Sequence, residues 1–389
     1  MLTEVIVQPT DFIESAPGQI VQTDRDYYAF VPYPLPPEIQ PDWGLSRLIS
    51  EADRALSELS GICRHLHNPQ ILMPSYVRRE AVLSSRIENT QSDMEDLFAY
   101  EVDDSIQRAP DVKEVANYVK AMEQGLKRLD DLPICGRLIR ELHSILMDEV
   151  RGGHVLPGEF RTTQNWIGPP GCTLNEATFV PPPAENLGDV LSEFERYVND
   201  DRTQEPTLVK CAFLHYQFEA IHPFADGNGR VGRLLITLYL CASGILSEPL
   251  LYLSEFFERY RSDYYRLLLG VSQRGEWREW LEFFLRGVRI QSENASNQAT
   301  QLIELNQSYR DQLGTKRVPE AALRLIDHIF SNPLVMPSKL AKDWKMPFPT
   351  VMTGINRLVT LGILTESTQK QRNRVFRATK VVNMLKRGT

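Results

Sequence analysis

The sequence predicts a mainly α-helical protein: a helical bundle interrupted by one β-hairpin and followed by a basic C-terminal module. Three observations predict it. Apolar residues recur at helical spacing over most of the chain, as at Val231, Leu234, Leu235 and Leu238. One stretch, from Gly152 to Pro183, departs from that period and alternates turn residues with short β-prone runs. The charge is also unevenly spread. The whole chain carries -8, yet residues 315–389 hold 14 Lys and Arg against 4 Asp and Glu, a net of +10.

Length and composition bound what such a chain does. Its 389 residues, 42% hydrophobic and 24% charged, suit a large globular core of two or three domains. No apolar run of membrane-spanning length is present, and the first residues, with Glu4, Asp11 and Glu14, lack the basic and apolar regions of a signal peptide. A cytoplasmic protein with no membrane partner is expected. Cys63, Cys135, Cys172, Cys211 and Cys241 are odd in number and widely spaced, so they read as buried thiols in a reducing compartment.

In chain order, Pro32 to Pro37 interleaved with Tyr27, Tyr28, Phe30 and Tyr33 predicts an extended arm laid on the body by its aromatics. Helices are predicted over 46–67 and 74–89. The next is signalled by a capping box, Ser92-x-x-Glu95. Lys113 to Lys127 and Cys135 to Val150 follow as helices, the latter carrying His143 as a structural histidine. Asn165 to Ile167 and Ala177 to Val180 form the predicted hairpin. Leu208 to Ala220 is apolar nearly all round, as a buried helix is, and Gly229 to Ser243 is the next helix. Ser254 to Ser272 and Trp277 to Gln307 complete the bundle. Beyond Pro319 come three short helices, Ala321 to Phe330, Pro337 to Asp343 and Pro349 to Leu361, then a ribbon from Gly362 to Leu364 and Arg374 to Arg377.

Chemistry concentrates between the two core helices, in His222-Pro-Phe-Ala-Asp-Gly-Asn-Gly-Arg-Val-Gly-Arg233. Gly227 and Gly229 allow positive φ, so successive N–H groups can turn toward an anion at a helix start. Arg230 and Arg233, three apart, add two guanidinium forks suited to phosphate. Asp226 offers a hard oxygen for a magnesium ion, and His222 titrates near neutrality and can take a proton from a hydroxyl. Singly each is a turn residue; together they are hard to explain as turn chemistry.

This stretch resembles the signature of the Fic family, His-x-Phe-x-Asp/Glu-Gly-Asn-Gly-Arg-x-x-Arg, with every position filled. The resemblance implies transfer of AMP from ATP to a Ser, Thr or Tyr hydroxyl of a target protein. His222 would be the general base, Asp226 the magnesium ligand, and Gly227, Asn228, Gly229, Arg230 and Arg233 the phosphate cradle. Kinase-type relatives carry Lys where this chain has Gly229. Ser84-x-x-x-Glu88-Asn89 resembles the family's inhibitory motif, in which Glu88 would pair with Arg233. The hairpin corresponds to the family's flap, with Thr178, Phe179 and Val180 docking the target, and Tyr264 and Tyr265 fall where nucleotide-base contacts are expected.

The C-terminal module resembles a winged helix-turn-helix in which Thr350, Thr353, Asn356 and Arg357 would face DNA and Lys370 to Arg377 would form the wing. A protein-binding or dimerising winged helix fits the residues as well. The expected division is an N-terminal region carrying the brake over 1–110, a Fic core over 111–300 and the winged helix over 315–389. Two other functions stay open: removal of AMP by a water positioned by Glu88, and DNA-binding regulation through a nucleotide-sensing core. DNA and a second copy of the chain are candidate partners.

Overall fold

A computed structural model describes residues 7–65, 71–102, 110–150, 156–314, 318–368 and 373–386. The chain forms two compact units, one of Met1–Leu56, Lys120–Ile245 and Phe256–Ile290, the other of Ser57–Val119, Leu246–Glu255 and Gln291–Thr389. The elements are two strands, β1 (Gly18–Gln22) and β2 (Tyr28–Pro32), then helices α1 (Trp43–His65), α2 (Met73–Ile87), α3 (Met94–Val102), α4 (Pro110–Arg128), α5 (Gly136–Leu146), α6 (Leu187–Val198), α7 (Thr207–Ile221), α8 (Asn228–Ala242), α9 (Ser254–Arg259), α10 (Arg261–Arg274) and α11 (Trp277–Leu313). The C-terminal module adds α12 (Glu320–Ser331), β3 (Leu334–Val335), α13 (Pro337–Asp343), α14 (Phe348–Thr360), β4 (Thr365–Glu366), β5 (Phe376–Arg377) and α15 (Thr379–Lys386). Among the described residues no helix is long and apolar enough to cross a membrane.

The first unit is built around α7. Every residue of that helix except Thr207 and Glu219 is buried, which explains its lack of a polar face. It packs against α6, α8, α10 and β2. Close approach in this core is set by small residues: a Cβ at Gly125 would lie 2.8 Å from Leu238 Cδ1. The proline-rich arm differs from expectation. Residues 18–32 fold as an antiparallel hairpin in register Gly18↔Pro32 to Gln22↔Tyr28, turned where Asp26 takes φ 62°. Phe30 is fully buried, so the aromatics pack, but as strand residues.

The predicted hairpin is reduced to one antiparallel bridge, Ile167↔Phe179. The 177–180 segment turns its other side to the first hairpin, where Phe30 N–H donates to Val180 O at 2.9 Å. Val180 and Ala177 share a small core with Val7 and Ala29. The strand is thus held from two sides.

In the second unit α2 ends in a Schellman motif. Asn89 N–H donates to Arg86 O (2.9 Å), Thr90 N–H donates to Ser85 O (3.1 Å), and Asn89 sits at φ 66°. Asn is among the few non-glycine residues that tolerate this conformation, which gives the Glu88-Asn89 pair a local physical reason. The predicted capping box is shifted by one residue. Asp93 caps α3, its Oδ1 accepting from Glu95 N–H (2.8 Å) and Asp96 N–H (2.9 Å), and Asp96 reaches back to Asp93 N–H. Glu95 instead faces the C-terminal module, forking with Arg377 at 2.8 and 2.9 Å and meeting Lys386 at 2.6 Å. Arg377 was expected in the wing; it points to α3.

The module has a three-stranded antiparallel sheet of order β3-β5-β4, and its helices α12 and α14 pack on each other. β3 and α15 went unforeseen because both are short. Residues 370–372 of the expected wing lie outside the described residues. Of the cysteines, Cys135 and Cys211 are buried, Cys172 and Cys241 only partly, and none of the four is in a disulfide; Cys63 lies outside the described side chains.

Candidate active site

The loop between α7 and α8 is the end of one buried helix turned sharply into the start of another. His222 caps α7 at φ 49°, ψ 60°, a left-handed conformation that costs a residue other than glycine about 1–3 kcal/mol. Its N–H still donates to Phe218 O at 3.0 Å, and its carbonyl, swung off the helix axis, accepts from Arg161 Nε at 2.9 Å and Asn165 Nδ2 at 3.1 Å. Two donors on one carbonyl offset the strain. The strained backbone aims the ring, whose Nδ1 lies 3.2 Å from Glu219 O. A carbonyl only accepts, so the proton sits on Nδ1 and the lone pair falls to Nε2.

Gly227 takes φ 81° and caps α8. A Cβ there would meet Met147 Sδ at 2.9 Å, so conformation and space both require glycine. The first intrahelical donor is Val231 N–H, to Gly227 O; the amides of Asn228 and Gly229 therefore project from the positive end of the helix. The Asn228 side chain does different work from that expected of a cradle. Its Oδ1 accepts from Phe224 N–H and its Nδ2 donates to Phe224 O, both at 2.8 Å, so the amide staples the loop.

Asp226 is exposed, with Oδ1 accepting from Gly227 N–H at 2.6 Å and standing 3.8 Å from Arg230 Nη2. Arg230 and Arg233 are both buried on α8. The charge of Arg233 reaches His215 on α7, whose imidazole is pushed down to about 3 by burial and by that guanidinium. His215 Nδ1 meets Gly232 O at 3.2 Å and Nε2 meets the Tyr264 hydroxyl at 2.8 Å. Tyr264, expected near a nucleotide base, is thereby a core residue. Tyr265 is 40% exposed.

Three residues that sequence reasoning assigned no part in the loop hold its backbone. Arg161 and Asn165 bind carbonyls from the strand side, Asn165 Nδ2 also reaching Phe224 O at 2.8 Å. His143 lies flat on Phe224, ring centroids 3.7 Å apart, and its Nε2 meets Asp226 O at 3.0 Å. Gly158 N–H donates to its Nδ1, so the ring proton is on Nε2. Burial holds His143 down at about 4, hence neutral. Of the flap residues, Phe179 and Val180 are buried and Thr178 is exposed. Glu88, in the second unit, is exposed at the end of α2, and Ser84 is fully buried.

The Fic/DOC family N-terminal model matches residues 46–127, and the Fic/DOC family model matches residues 133–240. The chain carries both Fic/DOC domains. The protein adenylyltransferase fic-1 of Caenorhabditis briggsae is 29% identical over 177 residues, 43% of this chain and 31% of that protein. The protein adenylyltransferase Fic of Drosophila ananassae is 34% identical over 149 residues, 37% of this chain and 26% of that protein. This chain thus spans about a third or less of the relatives' length. Among solved structures, a Fic family protein from Desulfovibrio desulfuricans G20 aligns over 88% of this chain and 98% of its own, with TM-score 0.59 and 20% identity. Fic-1 from C. elegans aligns over 67% of this chain and 74% of its own, with TM-score 0.51 and 22% identity. The fold is a Fic fold, mainly helical with small sheets.

Proposed function

We propose that the protein is a protein adenylyltransferase that moves AMP from ATP to a hydroxyl of a target protein, restrained by its own Glu88. The observation that carries this reading is the loop itself: an imidazole with Nδ1 tied to a carbonyl, leading into a helix N-terminus that bears two arginines. The names of the curated relatives support it.

In such a transfer the target oxygen attacks the α-phosphorus, the bond to the β-phosphate oxygen breaks, and pyrophosphate leaves. His222 Nε2 takes the hydroxyl proton. The N-terminus of α8, Arg230 and Arg233 offer positive potential for the phosphates. Asp226 suits a magnesium ion: it is one exposed carboxylate beside that helix end, and among the described residues no group of three metal-ligating side chains exists. The ion would take its other ligands from phosphate and water, as magnesium usually does, and would neutralise phosphate charge. Tyr265 rather than Tyr264 has a ring available to a base, and Thr178 offers the flap's exposed side chain.

The brake follows from helix electrostatics. Glu88 stands at the negative end of α2, where its charge is disfavoured by a few tenths to about 1 kcal/mol, and pairing with Arg233, on the second turn of α8, would relieve it. A paired Arg233 would not hold the γ-phosphate, and ATP would lie out of line for attack. The test is mass spectrometry of protein incubated with ATP and magnesium. The Glu88→Gly protein should gain the mass of AMP on itself or a target, and Glu88→Gly with His222→Ala should not. Equal labelling of the two removes His222 from the mechanism.

The module reads as a winged helix, and exposed Thr350, Thr353, Asn356 and Arg357 on α14 favour a DNA-facing helix. Retention of duplex DNA on a filter at low salt, weakened by Arg357→Ala, is the expected result. No retention at any salt makes the module a protein-binding one.

A further inference from the structure

The geometry points to Arg161 as a positioning residue that couples the flap to the general base. Each of its three guanidinium nitrogens donates to a backbone carbonyl. Nε donates to His222 O, Nη2 to Ile221 O (3.5 Å) and Pro182 O, and Nη1 to Thr163 O (3.2 Å), while its own N–H donates to Pro223 O (2.9 Å). Ile221, His222 and Pro223 belong to the reactive loop. Thr163 and Pro182 flank the two arms joined by the Ile167↔Phe179 bridge. One planar fork therefore spans both arms of the flap and the strained residue that aims the imidazole.

The group is 6% exposed and no carboxylate shares its hydrogen bonds. Burial lowers it only to about 10, so it stays charged at neutral pH. A buried cation hydrogen-bonded only to carbonyls, with the Glu185 carboxylate acting on it through space, is costly as a purely structural device, since an apolar side chain could fill the same space. It is well suited, however, to a loop that receives polyphosphate. The fixed fork also makes lysine a poor substitute, because one ammonium donates from a single point and cannot bridge carbonyls on three segments. A target segment seated on the flap and the base that deprotonates its hydroxyl then share one reference point. Misplacement of about 1 Å in such a step costs ~10² in rate.

This inference rests on the transfer reading, and two measurements keep the two apart. In the Glu88→Gly protein, Arg161→Lys should leave ATP affinity within about threefold, lower transfer kcat by about tenfold or more, and raise KM for the target. Adding millimolar guanidinium to Glu88→Gly with Arg161→Ala should restore part of the rate, which a general loss of folding would not allow. Independently of activity, the His222 imidazole nitrogens followed by NMR should lose the Nδ1–H···O signature in Arg161→Lys while the protein stays folded. Unchanged kcat together with unchanged His222 resonances overturns the assignment. If the Glu88→Gly parent transfers no AMP, the transfer reading fails by itself, and the His222 resonances alone decide whether Arg161 sets the base.

Discussion

Removing the Asn228 amide tests how the reactive loop is held, and the structure sets the magnitude. Phe224 is fully buried, and Asn228 Oδ1 accepts its N–H. In Asn228→Ala that donor is orphaned, at a cost of about 1–3 kcal/mol. Phe224 O fares better because Asn165 Nδ2 remains on it. Asn165→Ala orphans nothing: Phe224 O keeps Asn228 and His222 O keeps Arg161. Its cost should be about 1 kcal/mol, the net worth of ordinary hydrogen bonds. Only the double variant strips Phe224 O of both donors, so its loss should exceed the sum of the singles by about 1–2 kcal/mol. Urea unfolding of the three variants, followed by tryptophan fluorescence and circular dichroism, measures this. Additivity within about 0.3–0.5 kcal/mol would mean that the two amides do not share the carbonyl, and would falsify the staple.

Three further outcomes follow from other parts of the molecule. His143 and His215 are buried and His328 half-buried, lowered to about 4, 3 and 4, chiefly by burial, and all three are neutral at pH 7. Their folded values lie below the unfolded value of about 6.5, so between those limits the unfolded chain binds more protons and stability is lost as the pH is lowered. Unfolding free energy should drop by about 2 kcal/mol per histidine from pH 7.5 to 5, and a flat profile contradicts their burial as neutral rings. Gly227→Ala should destabilise the protein and weaken ATP binding, because its φ is positive and its Cβ would strike Met147; calorimetry showing unchanged affinity refutes the cap's role. Arg377→Glu breaks the fork to Glu95 and should speed hydrogen exchange in 94–102, while the charge swap with Glu95→Arg slows it again. Equal exchange in all three means that the module does not hold α3.

The sequence made legible what depends on local rules. α7 and α8 follow from apolar spacing, and the Glu88-Asn89 terminus follows from the tolerance of Asn for a left-handed turn. Two neighbouring features misled it for equally local reasons. Asp93 and Asp96 cap as well as Ser92 and Glu95, and only Arg377 and Lys386, far along the chain, decide which pair does so. The flap reads as a full hairpin until Phe30 takes the carbonyl of Val180. Arg161, Asn165 and His143 left no signal as loop supports because they bind backbone carbonyls 57 to 83 residues away, and a carbonyl imposes no residue type on its partner. Tyr264 looked like a ligand residue for want of knowing that His215 faces it.

The most direct test of the central claim labels ATP at two positions. The Glu88→Gly protein, with magnesium, should incorporate acid-stable label from ATP carrying it on the α-phosphate and none from ATP carrying it on the γ-phosphate, with pyrophosphate released in equal amount. The parent protein should incorporate about tenfold less or lower still, and Glu88→Gly with His222→Ala close to none. Label from the γ-phosphate, or loss of AMP from a modified target with no incorporation, would contradict adenylyl transfer as the activity of this site.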